Sequence, residues 1–96
     1  MATLKEAVGL VKGKKEFEAG NVFAVNYQTA GYYVVFNYGL HWPLFIYDYK
    51  QGQWYGNIDK RSATTSRHYS RLAPGNVLPL SCEEMKRLVN VARAQF

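Results

Sequence analysis

Three runs of β-branched and aromatic residues follow one another closely: "NVFAVNYQ" at 21–28, "YYVVFNY" at 32–38 and "PLFIYDY" at 43–49. Such side chains suit a pleated surface. The turn-rich separators "TAG", "GLHW" and "KQG" are long enough to join antiparallel neighbours but too short for a parallel crossover. Any fold of this chain must therefore accommodate an antiparallel meander. A shorter fourth strand is predicted over "QWYGNI", residues 53–58, because Gly52 offers the positive φ that a tight hairpin turn requires. In the first run Phe23, Val25 and Tyr27 alternate with Val22, Ala24 and Asn26, giving one more polar face. The second and third runs are apolar on both faces, which calls for cover by the long loop that follows or by another copy of the chain.

Helical signals frame the meander. Thr3 and Glu6 have capping-box spacing, and Leu4, Ala7, Val8 and Val11 fall on one helical face, predicting a helix from about residue 3 to 14 that stops near Gly13. Ser81 and Glu84 repeat the spacing, and Met85, Leu88, Val89, Ala92 and Phe96 continue an apolar stripe. The predicted order is α-β-β-β-β-α. This is an α+β fold of one domain, residues 1–96, with both helices on one face of a four-stranded antiparallel sheet. A composition 48% hydrophobic and 20% charged agrees with a folded chain.

Several classes are set aside by what the chain lacks. One cysteine, Cys82, cannot build an internal disulfide or a multi-thiolate centre, and two histidines with scattered carboxylates give no metal-ligand spacing. No cofactor is predicted. The amino-terminal stretch is too charged for a signal peptide, and no apolar run reaches the roughly 18–20 residues of a membrane span, so no membrane partner and a cytoplasmic location are expected.

The charge is concentrated. Of a net +5, Lys60, Arg61, Arg67 and Arg71 contribute four units, and no Asp or Glu occurs between Asp59 and Glu83. Within this span "TTSRHYSR" places Thr64, Thr65 and Ser66 directly before Arg67 and His68. Hydroxyls, backbone N–H groups and arginine forks are what a phosphate needs. The plainer reading is that Thr and Ser tie down their own loop backbone. A loop spanning 59–79 without periodicity is nevertheless long enough for a functional role to be expected.

Catalysis is not expected. His68-Tyr69-Ser70 forms a single H-x-S, whereas two-histidine phosphoesterases need two such elements, and the other histidine, His41, precedes Trp42-Pro43. "GYYVVFNY" partly matches the aromatic strand of RNA-recognition domains, but Ala30 stands where a basic residue belongs and Val34 where a ring belongs. Trp54 or a neighbouring tyrosine remains a candidate stacking ring. His41 and His68 are secondary candidates, and Trp42-Pro43 is a candidate cis step at a strand entrance.

The combination "YGLHWPLFIYD", "WYGN" and "K.SATTSRHYSR" resembles a family of small uncharacterised proteins from tailed bacteriophages and archaeal viruses. Its members share Y-G-x-H-[FW]-P, a W-Y strand and K-x-S-x-T-T-S-[RK]-H. Tyr38, Gly39, His41, Trp42, Pro43, Trp54, Tyr55, Lys60, Ser62, Thr64, Thr65, Ser66, Arg67 and His68 carry the likeness. Tyr69 departs from it, standing where those relatives have a polar amide. The resemblance implies a viral protein acting in the host cytoplasm. The expectation is then a non-enzymatic accessory protein that grips an anionic ligand, nucleic acid or a nucleotide signal, and so acts against host defence. Arg61, Arg67 and Arg71 would neutralise phosphate and Thr64, Thr65 and Ser66 would donate hydrogen bonds, with Trp54, His41 and His68 nearby. The alternative is an anti-CRISPR-type inhibitor that applies its tyrosine-rich sheet face and basic loop to a host defence protein.

Overall fold

The fold was obtained as a computed structural model, which describes residues 3–40, 42–59 and 69–95. Helix α1, Leu4–Lys12, begins on the capping box: the Glu6 N–H donates to Thr3 Oγ1 at 3.2 Å, and the Thr3 N–H donates back to Glu6 Oε1 at 3.2 Å. Its end differs in detail from the sequence expectation. Gly13 keeps a negative φ of −84°, and the left-handed position falls on Lys14, φ 55°. Lys14 N–H donates to the Val11 carbonyl and Lys15 N–H to that of Leu10, a Schellman closure formed without glycine at its left-handed position.

Among the described residues the sheet has six strands, β1 (Phe17–Ala19), β2 (Val22–Tyr27), β3 (Tyr32–Asn37), β4 (Pro43–Asp48), β5 (Gln53–Asn57) and β6 (Val77–Leu80), in spatial order 1-2-3-4-5-6. The first five form the antiparallel meander, and β6 lies parallel to β5. The expected four-stranded antiparallel sheet is thus corrected to a mixed one with an extra strand at each edge. β1 is three residues long, and β6 contains Pro79, which an edge tolerates because its missing N–H can face away from the sheet. The chain reaches β6 through residues 58–76, a span long enough for the crossover that parallel pairing demands.

The helices lie on opposite faces, correcting the expectation that they share one. On the first face Ala7 and Val11 of α1 pack with Val22, Ala24, Tyr33, Val35 and Phe45. Helix α2, Cys82–Gln95, brings Met85, Val89 and Ala92 onto Val34, Phe36 and Ile46 of the other. The physical reason is visible in β3, where four successive residues from Tyr33 to Phe36 are fully buried, so each face needs its own cover. Leu44 adds a local irregularity. Val35 pairs with Phe45 but Phe36 with Pro43, leaving Leu44 as the extra residue of a bulge, so that Leu44 and Phe45 both point into the first core. The Trp42–Pro43 bond is trans.

Residues 69–72 of the crossover add to the cover of the first face. They are helical, Leu72 is 1% exposed, and Tyr69 packs in the same core. At the start of the crossover the Asp59 carboxylate accepts the N–H of Cys82 at 2.9 Å, fastening the chain to the positive end of α2. The Ser81 and Glu84 capping box is formed, with the Glu84 N–H donating to Ser81 Oγ at 3.2 Å and the Ser81 N–H to Glu84 Oε1 at 3.3 Å.

Candidate ligand-binding surface

Strand β4 presents Tyr47 to the face that α1 covers, and the register sets it opposite Trp54 of β5. Their rings lie 5.0 Å apart between centroids, inclined at 58°. Tyr49, two residues on and so on the same side, meets Tyr47 edge-on at 5.2 Å, and Trp54 also sets its edge against buried Tyr33 at 6.0 Å. Tyr47, Tyr49 and Trp54 are each half-buried, so one part of every ring is clamped and another faces outward.

A cation sits over this group. The Nζ of Lys14 is 4.3 Å from the centroid of Tyr47, within cation–π range. The left-handed turn at Lys14 is what directs the chain there from the end of α1. The Tyr49 hydroxyl donates to Asn26 Oδ1 at 3.0 Å, and the Tyr33 hydroxyl to the Lys15 carbonyl at 2.7 Å. Burial pushes the phenol of Tyr49 up, and burial pushes Tyr33 up strongly. Both therefore stay protonated at neutral pH.

Beside Trp54 along β5 lies Gly56, and over it Tyr69, whose ring is 4.8 Å from that of Phe45. A Cβ on residue 56 would stand 2.6 Å from Val77 Cγ1 and 3.0 Å from Tyr69 Cε2, so the bare glycine is what lets Tyr69 seat. Burial raises the Tyr69 phenol as well. Tyr69, which departs from the resemblance, thus acts as the peg that holds the carboxy-terminal end of the basic segment to the sheet.

Of the residues singled out from sequence, Trp54 lies within the aromatic group, and Arg71 is exposed on the helical turn that Tyr69 and Leu72 anchor to the same face. Arg61, Thr64, Thr65, Ser66, Arg67, His68 and His41 lie outside the described residues. Sequence reasoning expected a tyrosine beside Trp54 without identifying Tyr47 or Tyr49, and it missed Lys14. The two tyrosines had a signal: period-two spacing, and a hairpin centred on residues 48–53 that sets Tyr47 against Trp54. Lys14 had none, because its place depends on how α1 packs. Among the described residues no cluster of three or more His, Cys, Asp or Glu is placed to hold a metal ion, and no helix is long and apolar enough to cross a membrane. No family model, no curated protein and no solved structure matches the chain.

Proposed function

We propose that the chain is a small, non-catalytic viral accessory protein that binds a phosphate-bearing ligand, single-stranded nucleic acid or a nucleotide, and acts through that binding against host defence. What supports this reading is one placement. Tyr69 and Leu72 fasten the middle of the acid-free segment 60–82 onto the sheet face on which Trp54 and Tyr47 lie and over which Lys14 reaches. Rings for bases and cations for phosphates are thereby supplied from one side of the molecule. Base–aromatic stacking is worth about 1–3 kcal/mol per base, and arginine or lysine contacts to the backbone supply the charge-dependent remainder.

The reading has a direct test. Fluorescence anisotropy with labelled single-stranded oligonucleotides and with nucleotides should give saturable binding. Three or four neutralised phosphates would make log K fall against log salt with a slope of about −2 to −3. Arg71→Ala and Arg67→Ala should each weaken binding by about 1 kcal/mol or more without changing the melting temperature. An affinity indifferent to salt and to both arginines would refute the proposal. Recovery of one stoichiometric host protein from infected cells, with no nucleic acid or nucleotide retained, would move the assignment to an inhibitor of that protein.

A further inference from the structure

The face carrying α2 holds a separate feature, distant from Trp54 and Lys14 because Tyr55 and Trp54, adjacent in β5, point to opposite sides. Tyr32 at the start of β3, Asp48 at the end of β4, Gln51 in the hairpin turn and Tyr55 form one wall of a cleft. Glu84 and Arg87, one turn apart on α2, form the other, and Leu80 and Leu88 add its apolar lining. The cleft holds about 360 Å³. Small-molecule sites span roughly 300–1,000 Å³, so a guest here is small.

The polar groups are held in position by their neighbours. Asp48 is 8% exposed, and its Oδ1 accepts the N–H groups of Lys50 at 2.9 Å and Gln51 at 3.2 Å, making Oδ2 the oxygen a guest would meet. Glu84 Oε1 accepts the Ser81 hydroxyl at 3.0 Å, and Gln51 Oε1 accepts the Tyr55 hydroxyl at 3.0 Å. Burial raises the Tyr32 phenol, and the nearby Asp48 carboxylate and Tyr55 add to that, so Tyr32 remains a hydrogen-bond donor.

The signs of charge select the guest. A phosphate or simple carboxylate would face Asp48 and Glu84 with one guanidinium in its favour, and a simple cation would face Arg87. A molecule carrying both signs answers both walls. We infer that this cleft binds a free α-amino acid with an apolar side chain. Its carboxylate pairs with Arg87, its ammonium pairs with Asp48 and Glu84, and its side chain lies among the rings of Tyr32 and Tyr55 and the two leucines. An arginine fork matches a carboxylate in geometry as well as charge. This inference stands whether or not the opposite face binds nucleic acid.

The test is two-dimensional amide NMR of the intact chain titrated with leucine, methionine and phenylalanine, each alongside its N-acetyl and its amide derivative. The expected result is saturable shifts at Tyr32, Gln51, Tyr55 and Arg87 with the free amino acids, and about tenfold weaker binding when either charge of the guest is removed. Arg87 is exposed, so Arg87→Gln should fold. It should weaken the free amino acid about tenfold while leaving the amide derivative unchanged. Glu84→Gln keeps the capping box and should weaken the free amino acid but not the N-acetyl form. No saturable shift up to the solubility of all three amino acids would overturn the inference. So would equal binding of the N-acetyl forms, or shifts that avoid the cleft.

Discussion

Replacing Gly56 by alanine tests how the basic segment is fastened to the sheet. A glycine inside a strand ordinarily weakens it, and alanine at a compatible site stabilises by about 0.4–1 kcal/mol. Here the sign should reverse. The added Cβ would sit 2.6 Å from Val77 Cγ1 and 3.0 Å from Tyr69 Cε2, and its nearest neighbour would be the Tyr69 hydroxyl. Val77 is β-branched and has little freedom to turn aside. The phenol of Tyr69 must swing away, giving up its 4.8 Å contact with Phe45. Overpacking costs about 1–3 kcal/mol and a lost aromatic pair about 0.5–1.5 kcal/mol, so a loss of about 2–3 kcal/mol is expected. For a domain of this size that lowers the melting temperature by about 10–20 °C. Urea unfolding of the parent, Gly56→Ala, Tyr69→Ala and the double variant closes a cycle. Because removing the phenol removes the main clash, the two changes should couple by at least about 1 kcal/mol. A Gly56→Ala variant as stable as the parent, or a strictly additive cycle, would refute the seating of Tyr69 over Gly56.

Three further outcomes are expected. Tyr33 holds its proton longer in the folded chain than in the unfolded one, so its contribution is intact below the unfolded value of 10.0 and is lost as pH rises beyond it. Stability should fall above that pH by up to about 1.4 kcal/mol per unit from this group, and urea melts of Tyr33→Phe should show a shallower alkaline decline after an initial loss of about 1 kcal/mol for the bond to the Lys15 carbonyl. Lys14→Met, which keeps the left-handed residue but removes the cation over Tyr47, should cost about 0.5 kcal/mol, whereas Lys14→Gly, which loses the same cation but relaxes the backbone by about 1 kcal/mol, should end about 0.5 kcal/mol above the parent; equal melting temperatures of all three would argue against both effects. Asp59→Ala should cost about 1 kcal/mol in thermal unfolding through loss of the acceptor for the Cys82 N–H, and an unchanged transition would count against that contact.

What could be read from the chain divides along local and non-local lines. Both capping boxes and the hairpin at Gly52, φ 63°, follow from neighbouring residues, and all three formed. β1 escaped because three residues carry no period, and β6 because Pro79 argues against a strand unless an edge is already known to exist. The two-faced apolarity of β3 and β4 was legible as a demand for cover, but which element would meet it was not. The answer depended on α1 and the Tyr69–Leu72 turn docking on one side and α2 on the other. At the candidate surface, Trp54 was recognisable as a ring near the basic segment. Its partners Tyr47 and Lys14 required knowledge of cross-strand register and helix packing.

The parallel pairing of β6 beside β5 gives the connection between them a role in how the molecule would come apart. A protease cutting between residues 60 and 68 would leave two pieces, one with the meander and α1, the other with β6 and α2. Both pieces would meet across one seam of backbone hydrogen bonds and through a shared core on each face, so the nicked chain should elute intact and separate in denaturant. Mixed after separation, the halves would carry complementary surfaces and should reassociate, which would make this protein a natural candidate for a split reporter.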